Sequence, residues 1–132
     1  LPEDDGSALP DAFKKINLSL TSFFDLSLNI EGNMLTLTGK DGEIWYRAER
    51  GCWSKISRKV HCSPFYTEKD SMDTPVIGAW GVKNGVLTIR VYEIEFLEED
   101  TLTLTEAEDG IHVSFANTTI PSNPRDYVKK VI

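Results

Sequence analysis

Cysteine, histidine and proline are all scarce in this chain: two, two and six in 132 residues. Two cysteines cannot staple a disulfide-dense scaffold, and Cys52, Cys62 and His61 are too few donors for a structural zinc site. No apolar run approaches the ~20 residues that a membrane-spanning helix needs. Basic residues are also in deficit, 14 Lys and Arg against 21 Asp and Glu, so the net charge is −7. A nucleic-acid partner, whose phosphates demand a basic face, is therefore not expected. There is no Gly-x-Ser-x-Gly, no Ser-x-x-Lys and no glycine-rich phosphate loop, and nothing marks Cys52 and His61 as an activated pair. Neither an enzyme nor a cofactor is expected from these residues.

With 40% hydrophobic and 27% charged residues the composition is that of a globular domain, and the length fits one. Residues 1–15 read as a linker or leader and 16–132 as a single antiparallel β domain. The chain starts at Leu1 without a signal peptide, which leaves a processed form or a segment of a longer protein. The linker composition of LPEDDGSALP at residues 1–10 favours the segment. Cys52 and Cys62 are a candidate disulfide in an oxidising compartment; two reduced thiols fit the spacing equally well.

What the chain has is strands. Residues 79–96, AWGVKNGVLTIRVYEIEF, place Asn84-Gly85 between two apolar runs, a strong hairpin signal because a type I′ turn needs positive φ at both central residues. Alternation of period two recurs at 24–30, 35–38, 44–49, 76–80, 101–105 and 111–115. The reversals fall at Gly32, at Gly42, at the acidic triplet Glu98-Glu99-Asp100 and at Asp109-Gly110, a further type I′ candidate. Residues 53–60 read as an edge strand and 63–73 as the longest loop, a crossover. The fold expected is all-β: an antiparallel up-and-down meander of seven to nine strands, closing as a barrel in preference to a two-sheet sandwich.

On residues 87–96 the apolar phase switches from Leu87, Ile89 and Val91 to Tyr92, Ile94 and Phe96. A β-bulge near Val91-Tyr92 accounts for this; otherwise Glu93 and Glu95 point inward beside Arg90 or Arg47. Trp45, Trp53 and Trp80, with Tyr46 and Tyr92, are core and barrel-mouth packing or an aromatic wall for a ligand. Trp53, Trp80, Arg90, Tyr92 and Glu93 are the candidate ligand- or partner-binding residues. The acidic triplet reads as a solvated turn rather than a calcium site.

The order of these features resembles the C-terminal β domain of some bacterial serine hydrolases related to class C β-lactamases and penicillin-binding proteins. The similar pieces are Phe24 to Leu28 with Leu35-Thr36-Leu37, Asp41-Gly42 leading to Gly51-Cys52-Trp53, Gly78-Ala79-Trp80, residues 87–93, residues 100–104, and residues 111–115 with Asn117. The cysteine-containing middle loop departs from that pattern. The resemblance implies a lipocalin-like barrel and a non-catalytic accessory role, shielding or shaping an active site that lies in an N-terminal serine hydrolase domain or another subunit. It also implies a periplasmic or secreted location. Two other readings stand beside it: a free-standing lipocalin-like binder of a small apolar ligand, and a secreted carbohydrate-binding β module.

Overall fold

The structure is a computed structural model and describes residues 1–21, 24–39, 42–61, 71–94, 98–108, 110–117 and 125–129. A 3-10 turn, Asp11–Phe13, precedes ten strands: β1 (Lys15–Thr21), β2 (Phe24–Glu31), β3 (Met34–Thr38), β4 (Ile44–Arg50), β5 (Ser54–His61), β6 (Ser71–Lys83), β7 (Val86–Glu93), β8 (Glu98–Ala107), β9 (Gly110–Asn117) and β10 (Arg125–Lys129). They form one strongly curled sheet, a half-barrel, ordered β1-β2-β3-β4-β6-β7-β8-β9-β10 with β5 pairing β6. Among the described residues no hydrogen-bonded ladder joins β1 to β10.

The uninterrupted meander of seven to nine strands is corrected at β4. Gly51, with φ 75°, turns the chain after Arg50, and β5 runs back antiparallel to β6. β4 itself touches β6 in parallel, Glu49 opposite Ala79 and Arg50 opposite Trp80. One edge of the 13-residue β6 is thus divided: β5 takes residues 71–78 and β4 takes 79–80. β4 then crosses the inner face of β6 at Gly78, where a Cβ would stand 2.5 Å from the Arg47 carbonyl oxygen. The missing side chain at Gly78 is what allows the backbones to meet.

The hairpin at the centre forms as its residues demand. Asn84 and Gly85 have φ 52° and 77°, both positive, between the paired Lys83 and Val86. At the β2–β3 reversal only Gly32 is positive (φ 59°), the arrangement of a type II′ turn. Two other reversals are displaced from where the sequence put them. Gly110 already pairs with Ala107 and so belongs to β9 rather than to the turn, with Asp109 outside the described residues. Glu98, Glu99 and Asp100 belong to β8 rather than to a turn.

The bulge expected near Val91-Tyr92 is absent. β7 stays in register with both neighbours as far as Glu93, which faces Val76 on one side and Glu98 on the other. The strand ends there, so Ile94 does not continue its alternation; Glu95 and Phe96 lie outside the described residues. The expected loop at 63–73 is shortened at its C-terminal end, since residues 71–73 open β6; residues 62–70 lie outside the described residues.

The core fills the concave side. Leu28, Leu35 and Leu37 from β2 and β3 meet Trp80, Leu87, Ile89, Leu102, Leu104 and Ile111 from the other wing, each at most 1% exposed. Phe13 joins them, fully buried, with Leu9 and Ala12 packed alongside. Of residues 1–15, read as a linker or leader, Leu9, Ala12 and Phe13 therefore pack on the core and Lys15 opens β1. At about 25 cal/mol per Å² of apolar surface, each large side chain of this set contributes on the order of 2 kcal/mol.

Candidate functional site

β7 alternates by the pleat, with Leu87, Ile89 and Val91 inward and Thr88, Arg90 and Tyr92 outward. The register with β8 sets Thr101 beside Arg90 and Glu99 beside Tyr92 on the same outer face. There the Arg90 guanidinium meets the Glu99 carboxylate, with Nε donating at 2.6 Å and Nη2 at 2.5 Å from Oε1. Nη2 also donates to the Tyr92 hydroxyl at 2.8 Å, and the guanidinium carbon sits 5.7 Å from that ring's centre. Trp53, carried here by the corner after Gly51, packs edge-on against Tyr92 with centroids 5.3 Å apart at 68°. It stays 37% exposed.

Electrostatics holds this group together. Burial raises the Tyr92 phenol above its ordinary range; the hydrogen bond to Glu99 adds to this and the Arg90 charge opposes it. The phenol therefore stays protonated, a neutral group between a cation and an anion. The arrangement offers an apolar ring face flanked by N–H donors and a carboxylate, which suits recognition.

Three of the five residues named from the sequence, Trp53, Arg90 and Tyr92, come together here. Trp80 does not join them. It lies in the inward phase, 1% exposed, and its indole N–H donates to the Asn33 carbonyl at 2.9 Å, tying the β2–β3 turn to β6. Arg50 covers its ring at 5.3 Å. Glu93 shares the inward phase of Val91 and is half-buried at the strand end. Cys52 is an exposed thiol that donates to Glu49; that hydrogen bond, then burial and the carboxylate's charge, raise its pKa. Cys62 lies outside the described residues.

Sequence reasoning missed Glu99 and Asp100 by reading them as a turn. Asp100 is 7% exposed and accepts a hydrogen bond from the Tyr46 hydroxyl at 2.5 Å, a link between β8 and β4 through the interior. A signal existed: Asp100 falls in phase with Leu102 and Leu104, so a strand reaching back to it must turn its carboxylate inward. Arg47, its neighbour in sequence to Tyr46, keeps a buried Nε without an acceptor among the described residues. Among those residues no three His, Cys, Asp or Glu side chains converge as a metal site, and no helix is long and apolar enough to cross a membrane. No family model matches the chain, and neither a curated protein nor a solved structure matches it.

Proposed function

We propose that this chain is a non-catalytic accessory domain, the lipocalin-like C-terminal module of a periplasmic or secreted serine β-lactamase-like hydrolase. It docks on the catalytic domain of its own polypeptide and shields or shapes the active site there. The observation that carries the reading is the outer cluster of Trp53, Tyr92, Arg90 and Glu99. Aromatic rings and arginine are the residues that dominate binding energy at protein interfaces, and this cluster puts them on the sheet's outer face. The concave side supports docking over carriage of a small ligand, because its described inward positions are occupied by side chains packed on one another.

The test begins with the reading frame upstream of Leu1, which is expected to encode a domain bearing Ser-x-x-Lys. In that longer protein, Trp53→Ala with Tyr92→Ala is expected to change KM for bulky substrates several-fold, while small substrates turn over as before. A reading frame without such a domain sinks the proposal, as does an unchanged KM for substrates of every size. Restored turnover control by a separately added catalytic subunit would place the partner in another chain.

A further inference from the structure

The edge of β6 that β5 and β4 divide between them has a third occupant, the chain's own residues 2–7. The Asp5 N–H donates to the Val82 carbonyl at 2.9 Å, just beyond the stretch paired with β4. Around that backbone bond the leader's acidic side chains meet groups supplied by the sheet. Arg50 grips Asp4 with two donors, Nε to Oδ2 at 2.7 Å and Nη2 to Oδ1 at 2.9 Å, and Nη2 also reaches the Ser7 carbonyl at 2.6 Å. Lys83 Nζ lies 3.0 Å from Glu3 Oε2. The Asn84 N–H, at the head of the β6–β7 turn, donates to Asp5 Oδ2 at 2.8 Å.

The groove is shaped as well as charged. A Cβ on Gly81 would stand 2.5 Å from the Glu3 carbonyl oxygen, and its next nearest neighbours are also leader atoms, Glu3 C and Asp4 Cβ. Nothing in the sheet itself needs glycine there, since Gly81 pairs regularly with Thr88 and has no positive φ. Pro2, next to Glu3 in the segment, is buried. Every receptor group comes from β4, β6 or the turn after β6, so the sheet builds the groove without help from the segment lying in it.

We propose that this groove, formed by Arg50, Gly81, Val82, Lys83 and Asn84, is a recognition site for an extended acidic peptide of the Pro-Glu-Asp-Asp-Gly pattern. The chain's own leader is its resident occupant. Binding adds a short piece of backbone to a free sheet edge, while a bidentate arginine and a lysine read the carboxylates. In a chain of net charge −7 both cations pair with this acidic segment, Arg50 largely shielded from solvent and Lys83 half exposed, so the pairing is complementary against the overall balance. Attachment to the same chain keeps the leader at high effective concentration and the groove filled.

The test uses the full chain carrying Asp4→Asn and Asp5→Asn, which loosens the leader and leaves the groove intact. A fluorescently labelled octapeptide LPEDDGSA, residues 1–8, is titrated into it and followed by polarisation. Saturable binding is expected, weaker by about tenfold or more when the peptide carries the same two substitutions. Adding Gly81→Ala to the chain is expected to abolish binding while the β circular dichroism persists; Arg50→Ala, which leaves Gly81 alone, is expected to do the same. Absence of saturable binding overturns the proposal, and so does binding that survives both Gly81→Ala and Arg50→Ala. Trp53 and Tyr92 are untouched throughout, so this outcome is independent of the docking face.

Discussion

Gly78→Ala is the sharpest probe of how the two wings are joined. A Cβ at this position would stand 2.5 Å from the Arg47 carbonyl oxygen, 3.2 Å from Ala48 Cβ and 3.3 Å from Ala48 Cα. Ordinary contact begins at 3.4 Å, so the crossing of β4 over β6 must open by nearly 1 Å. The obstructing atoms are mostly backbone and cannot swing aside as a side chain end would. Overpacking a filled core costs about 1–3 kcal/mol, and the rigidity of this contact puts the cost near the upper end. Alanine in a strand interior returns about 0.5–1 kcal/mol relative to glycine. The net loss is therefore about 2 kcal/mol, which lowers a urea midpoint by roughly 1 M at the slopes usual for small domains. Gly81→Ala makes an equally short contact, but against the leader, so it is expected to free residues 2–7 and barely move the midpoint. Equal midpoint shifts for the two variants would refute the reasoning, as would a Gly78→Ala protein as stable as the parent.

Three further outcomes follow from the same geometry. Tyr46→Phe leaves the buried Asp100 carboxylate without its 2.5 Å donor and should cost about 1–3 kcal/mol by denaturant unfolding. Glu49→Ala removes the acceptor and the charge that raise the Cys52 thiol, so alkylation of Cys52 at pH 8, read by peptide mass spectrometry, should accelerate. Acid should release the leader. Hydrogen bonds from Ser7 and Asn84 hold Asp5 at about 2 against an ordinary 3.8, and Arg50 lowers Asp4 likewise. Groups depressed in the folded state stabilise it fully above their unfolded values, so docking should weaken from about pH 4 downwards and be lost as Asp5 protonates near pH 2. The amide shifts of Asp5 and Asn84 would follow this loss; shifts that stay constant over that window contradict it.

The strands were legible because half-buried strands write their pleat into the sequence, as β3 does with buried Leu35 and Leu37 between half-buried neighbours. Asn84-Gly85 was legible because its backbone admits few other residues. The fork at β6 was not, since no local pattern says that one edge will serve two strands of opposite direction. Gly51 and Gly78 carry that information only in three dimensions, one by its φ and one by an approach from a distant strand. In the candidate site, Trp53, Arg90 and Tyr92 were read from residue type, whereas Glu99 joined them only once the β7–β8 register was known. Trp80 was drawn into the same set by its ring, but its even phase with Val76 and Val82 commits it to the core. The leader was missed for a different reason. Composition marks LPEDDGSALP as a segment that cannot build its own core, which holds equally for a free linker and for one that borrows a groove.

The divided edge of β6 also explains why two of the chain's cations, Arg50 and Lys83, stand where they do. A long strand with one partner on its far side presents a row of unpaired backbone groups, and such edges are prone to unwanted pairing. β5 covers the first eight residues of that row and β4 the next two. What remains, from Gly81 to the turn, is too short for another strand, and among the described residues only the Val82 carbonyl there is met by backbone on this edge, from Asp5. One backbone bond cannot hold a flexible segment against its entropy. Arg50 and Lys83 flank this gap, and their bonds to Asp4, Glu3 and the Ser7 carbonyl make up the difference. Surface ion pairs are ordinarily weak, but the Arg50–Asp4 pair is bidentate and about four-fifths shielded on both sides, the circumstance in which such a pair does contribute. The same shielding by the leader then covers the Arg50 guanidinium above Trp80, so the strap on the surface and the largest side chain of the core are connected through one residue.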